Sequence, residues 1–119
     1  MDQLERFRET TTIYRKHGWR LERVLMRAET LAMLRNVSGD ERFENLTVQE
    51  SSVDAIWFAR ASHVGREAWE LRLVAEPPYA LFEMFEADET EEDREDVRRE
   101  MEARLRDYAM PEQKSDNRR

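Results

Sequence analysis

The chain is 119 residues and 14.4 kDa, with 39% hydrophobic and 39% charged residues, a formal charge of −7 and a mean hydropathy of −0.92. It has no Cys, which removes disulfides, thiolate metal sites and thiol nucleophiles together. No apolar run approaches the roughly 18 to 20 residues of a membrane span, and Met1-Asp2-Gln3-Leu4 lacks the basic, apolar opening of a signal peptide. Composition therefore points to a cytoplasmic protein with no membrane contact. Three Trp, three Tyr and five Phe exceed what a solvated coil needs, so the polar composition still implies a core, and one core at this length.

Charge is uneven along the chain. Residues 1–36 carry eight basic and five acidic residues, 37–87 four and ten, and 88–107 five and ten. Affinity for nucleic acid rests on clustered Lys and Arg that release counterions, so this balance argues against a nucleic-acid partner.

Residues 2–16 read as a helix, because Leu4, Phe7, Thr11 and Tyr14 share one narrow stripe and His17-Gly18 ends it. The apolar residues Trp19, Leu21, Val24, Leu25 and Met26 after that break favour a strand over a continued helix. Good helix formers fill 28–36, Val37-Ser38-Gly39-Asp40 is loop chemistry, and a short strand falls at 46–49. Two strand-length runs follow, 55–61 and 67–74, separated by Ser62-His63-Val64-Gly65. A loop centred on His63 and Val64 pairs Phe58 with Trp69, Ile56 with Leu71 and Arg60 with Glu67. Pro77-Pro78 forbids continuation. A third strand spans 79–86, with Tyr79, Leu81 and Phe85 on one face and Ala80, Phe82 and Met84 on the other. Residues 87–108 form a long charged helix: Thr90 and Asp93 start it as a capping box. Its apolar stripe is Val97, Met101, Leu105 and Tyr108. Glu95–Arg99, Glu100–Arg104 and Glu102–Arg106 have the favourable four-residue spacing.

The expected architecture is α+β. An antiparallel meander of three to five strands packs with an N-terminal helix and the long charged C-terminal helix, as one domain over 1–110 with a flexible polar tail at 111–119.

Catalytic templates fail by subtraction. Gly18, Gly39 and Gly65 lie too far apart for a phosphate-cradling loop. The two His, His17 and His63, end different elements, and no nucleophile elbow surrounds Ser62-His63. The acidic run at 89–96 has no Gly for a calcium loop and reads as a solvated helix start. Asn36-Val37-Ser38 and Asn45-Leu46-Thr47 match the glycosylation sequon but carry little weight without a secretion signal. No catalytic residue, metal ligand or cofactor is assigned.

The binding candidates are Trp57, Phe82, Met84 and Glu83. The first three fall together on a second sheet face that is apolar in patches, covered by the N-terminal helix through Phe7 and Tyr14, by a second copy of the chain or by a ligand. Glu83 enters the Leu81/Phe85 face, where a carboxylate needs a partner such as Arg60 or Arg72, or a place at the sheet edge. In size and charge the chain is similar to type III secretion chaperones, a likeness of composition that covers no motif. The first expectation is a non-enzymatic interaction module acting as a homodimer, through the second sheet face or an exposed strand edge that could also recruit an extended segment of another protein. The alternatives are a small-molecule or hydrolytic pocket around Glu83 with Trp57 or Tyr79, and an antitoxin-like or export-chaperone binder of a basic partner.

Overall fold

The computed structural model describes residues 2–37 and 47–110; the residues at 38–46, with most of the expected 37–40 loop, and the expected tail at 111–119 lie outside the described residues. Three helices and five strands follow in the order α1 (Gln3–Lys16), β1 (Arg20–Met26), α2 (Ala28–Asn36), β2 (Thr47–Glu50), β3 (Ala55–Ala61), β4 (Glu67–Leu73), β5 (Tyr79–Phe85) and α3 (Glu91–Ala109). The class is α+β, with a mostly antiparallel sheet ordered β2-β1-β3-β4-β5.

The side chain of Asp2 caps α1 by accepting the Glu5 N–H at 2.9 Å. At the other end Trp19 N–H reaches Tyr14 C=O and Gly18 N–H reaches Arg15 C=O, both at 3.1 Å. Gly18 sits at φ +86°, and Trp19 meets the Tyr14 ring edge-on at 6.0 Å. That is a complete Schellman stop with its hydrophobic contact, and it turns the chain directly into β1. β2 runs parallel to β1, the one departure from an antiparallel meander. Parallel neighbours need a crossover, and α2 lies within it.

The β3–β4 hairpin forms over the expected residues, but its register is offset by one. Phe58 lies opposite Glu70, Ala59 opposite Trp69, Trp57 opposite Leu71 and Ala61 opposite Glu67. The cause is the turn. Ser62 N–H bonds Arg66 C=O at 3.0 Å and Arg66 N–H bonds His63 C=O at 2.8 Å, so three residues lie between the last paired ones. Gly65 takes φ +74°, and a Cβ there would stand 2.6 Å from the Ala87 Cβ. An odd loop with a left-handed glycine shifts the pairing and turns β3 over relative to the even loop expected.

Both faces of the sheet are covered at its centre. On one, Leu25, Ala55, Trp57, Ala59, Trp69, Leu71, Leu73 and Phe85 pack with Met101 and Leu105 of α3. On the other, Val24, Ile56, Phe58 and Val74 pack with Leu4 and Phe7 of α1, and Leu31 and Leu34 of α2 approach them. β3, in the middle of the order, is buried on both faces over 55–59.

α3 starts as expected, with the Thr90 hydroxyl accepting the Asp93 N–H at 3.1 Å. Of its three expected pairs, Glu102 and Arg106 approach to 4.0 Å, while Asp96 takes Arg99. Glu95 turns inward instead. It receives Arg23 of β1 in a two-pronged contact at 2.8 and 3.1 Å and Arg98 at 3.1 Å. The Arg23 hydrogen bonds hold the Glu95 carboxyl below its ordinary range against the opposing effect of burial. Arg98 is 1% exposed. Its guanidinium lies 4.3 Å from the Trp69 ring centre and 5.4 Å from that of Phe85, paired with Glu91 and Glu95. A charge is tolerated there because rings and carboxylates replace its water.

Candidate functional site

The register decides where the candidate residues stand. Trp57 is 0% exposed on the α3 face, edge-on to Trp69 at 5.8 Å, and its indole N–H donates to Glu102 at 2.8 Å. It belongs to the core. Phe82 and Met84 pair with Glu70 and Ala68 of β4 and so lie on the opposite face. The expected grouping of Trp57 with Phe82 and Met84 is therefore split across the sheet, because β3 is turned over by its one-residue offset.

Glu83 lies opposite Trp69 on the α3 side of β5, half-buried and without an ion pair or side-chain hydrogen bond among the described residues. Neither cation expected for it arrives. Arg60 donates to the His17 carbonyl at 3.2 Å and stacks 4.7 Å from Trp19. Arg72 donates to the Leu73 carbonyl at 3.3 Å and reaches the Tyr14 hydroxyl at 3.5 Å. The sheet edge is the position Glu83 occupies.

α1 covers less of its face than Phe7 and Tyr14 suggest. Tyr14 stacks on Phe58 at 4.0 Å and donates its hydroxyl to Glu70. Glu70 and Arg72, which interrupt the apolar face in sequence, are thus the partners of Tyr14. The helix reaches β4 through this contact and stops short of Phe82 on β5, which is 56% exposed, while Met84 is half-buried. Burial, reinforced by the bond to Glu70, raises the Tyr14 hydroxyl pKa to about 12 from 10.0. A raised pKa means that the neutral phenol stabilises the fold. That contribution is complete below pH 10 and is lost as pH climbs towards 12. Tyr14→Phe is expected to flatten the loss of stability over that interval in urea melts, and to remove the latest tyrosine from an ultraviolet titration.

The backbone of β5 is open as well. Ser62 N–H donates to Arg66 C=O across the hairpin, and Val74 N–H donates to Asp54 C=O at 2.9 Å. Even-numbered residues of β4 therefore face β3, and the odd ones face β5. By the β4–β5 register, Tyr79, Leu81, Glu83 and Phe85 spend their N–H and C=O groups on β4. Ala80, Phe82 and Met84 turn theirs outward, where no described strand lies. The seven β4–β5 pairs run without a bulge, and β5 itself contains no Pro or Lys. An edge of this length is normally blunted by one of those devices.

A second feature is a cleft of about 1100 Å³ at the end of the sheet, lined in part by Gln3, Arg27, Asp54, Glu76 and Tyr108. Its most buried polar group, Asp54, is already occupied. It accepts from Gln3 Nε2 at 2.9 Å, Arg27 N–H at 2.7 Å, Arg27 Nε at 3.3 Å and the Thr30 hydroxyl at 2.7 Å. Neither Glu83 nor Trp57 lines this cleft; Tyr79 stacks at 3.7 Å on Tyr108, which does. Ser62 and His63 stand exposed at the hairpin tip. Among the described residues no three His, Cys, Asp or Glu converge as a metal-ligand set, and no helix is long and apolar enough to cross a membrane.

Thr30, Asp54 and Arg98 are, among the described residues, the buried polar residues that the sequence pattern did not single out. No protein family, curated protein or solved structure matches the chain, so its candidate site rests on its own geometry, the open β5 edge with Phe82 and Met84.

Proposed function

We propose that the protein is a non-enzymatic, cytoplasmic interaction module that takes up an extended segment of polypeptide as an added strand on β5. The observation that carries this is the seven-residue edge without bulge, Pro or Lys, on which Ala80, Phe82 and Met84 offer outward backbone groups and Phe82 a ring that is 56% exposed. Strand addition draws affinity from main-chain hydrogen bonds and specificity from alternate side chains, and β5 supplies both. A second copy is the other occupant supported by geometry. Phe82 is the midpoint of β5, so an antiparallel copy in full register pairs all seven residues and sets Phe82 against its own counterpart.

Ala80→Pro tests the reading. It deletes an outward N–H without touching the β4–β5 ladder. Peptides selected from a random display library on the wild-type protein are expected to protect the Ala80, Phe82 and Met84 amides from hydrogen exchange. The variant is expected to bind them at least about tenfold more weakly, a difference of about 1.4 kcal/mol. Equal binding by the variant, or protection centred on the cleft around Val53 and Tyr108, would overturn it.

A further inference from the structure

We infer that the added strand is basic: an extended stretch of another protein in which apolar side chains alternate with Lys or Arg, rather than a second copy of this chain. This rests on strand addition at β5 and concerns what that edge selects.

The ground is the charge along it. Residues 73–93 hold eight acidic residues and no Lys, Arg or His. In the middle of the strand stands Glu83, half-buried and without a side-chain partner among the described residues. Glu76 and Asp88, exposed beyond the two ends of β5, also have no ion pair among the described residues. The cations around β5 are committed elsewhere: Arg66 to Glu86 at 2.9 Å, Arg94 to Glu67 at 3.3 Å and to the Glu86 carbonyl at 2.6 Å. Arg72 is held by Tyr14 and Leu73, and Arg98 by Glu91 and Glu95.

A strand laid along β5 removes more water from Glu83. A carboxylate in that position needs a cation on the facing residue, whose Cβ lies roughly 5 Å away. Residues 73–93 of a second copy, the stretch that carries its β5, have no Lys, Arg or His to give. In full register the copy brings Leu81 opposite Glu83; a shift of two residues either way brings Glu83 or Tyr79. In full register the copy also brings Glu76 level with Asp88, and like charges placed together oppose association.

The two sides of the edge then specify a pattern. Beside Phe82 and Met84 the incoming residues are apolar, and on the Glu83 side they are Lys or Arg, alternating with the strand's period of two.

The test uses the full-length protein and three labelled peptides of about nine residues, alternating valine with lysine, with threonine or with glutamate, followed by fluorescence anisotropy. The lysine peptide is expected to bind about tenfold more tightly than the threonine peptide at low salt, with the advantage shrinking as salt rises. Glu83→Gln is expected to cut that preference to about threefold or less, about 0.65 kcal/mol, and Glu83→Lys to shift it towards the glutamate peptide. Ala80→Pro is expected to abolish binding of all three.

Lysine-peptide binding that survives Ala80→Pro is general charge attraction and overturns the inference. Equal affinity for the lysine and threonine peptides, with both lost in Ala80→Pro, overturns the inference and leaves strand addition standing. So does a dimer, seen by light scattering on dilution, that Ala80→Pro dissociates. Hydrogen-exchange protection away from Ala80, Phe82 and Met84 overturns both.

Discussion

Replacing Trp57 with alanine is expected to cost the fold about 3–5 kcal/mol in urea unfolding, while Phe82→Ala costs less than about 1 kcal/mol. Trp57 lies at the crossing of β3 and α3, fully buried against Trp69, and its indole N–H closes a bond to Glu102. Truncation opens a cavity that central β3, packed on both faces, has little freedom to collapse. Trp57→Phe separates the two contributions. It keeps most of the volume and removes the donor, with an expected cost of about 1–2 kcal/mol. A loss in Trp57→Ala no larger than in Phe82→Ala would show that Trp57 does not hold the core, and would return it to the open face with Phe82.

Asp54→Ala is the second large effect, expected at about 3 kcal/mol. The carboxylate is 4% exposed and ties together the start of α1 through Gln3, the entry to α2 through Arg27 and Thr30, and the beginning of β3. Arg27 caps α2 without a side-chain hydrogen bond of its own, so Asp54 supplies the acceptor and the negative charge from across the chain. Arg27 is exposed enough to find water after the change. The Thr30 hydroxyl, 1% exposed, is not. Asp54→Asn is expected to lose nearly as much, because its amide turns a donor towards groups that themselves donate. Thr30→Val alone is expected to cost about 1 kcal/mol, and combined with Asp54→Asn less than the sum of the two. Additive losses, or α2 amides that exchange no faster in Asp54→Ala, would refute the role.

These two residues mark the limits of what the sequence makes legible. α1 reads off directly because Leu4, Phe7, Thr11 and Tyr14 fall in phase and Gly18 supplies the left-handed stop. The alternation in β5 is equally plain, so the row of Phe82 and Met84 reads off the sequence; that α1 stops short of it and leaves Phe82 exposed does not. The β3–β4 hairpin is legible as an element and not as a register. β3 is apolar on both faces, with Ile56 and Phe58 on one and Trp57 and Ala59 on the other, so hydrophobicity cannot choose which face meets Trp69. The deciding feature is backbone geometry at Gly65, set by the nearness of Ala87 far along the chain. Parallel pairing of β2 gives little sequence signal, because Thr47, Gln49 and Glu50 are exposed and Val48 alone approaches the core. Asp54 bonds groups 24 to 51 residues away, and no local pattern reports such a hub. Arg98 is hidden differently: it looks like one more charge on a charged helix until Trp69 and Phe85 are seen beneath it.

The two ends of the sheet are unequal. Among the described residues the far border is β2, four residues long and paired only to β1, whereas β5 offers seven. If a polypeptide docks on β5 as proposed, the described edge across the molecule is shorter by three residues, and growth by repeated head-to-tail joining would be disfavoured. The arrangement favours a closed complex of fixed stoichiometry over a fibre.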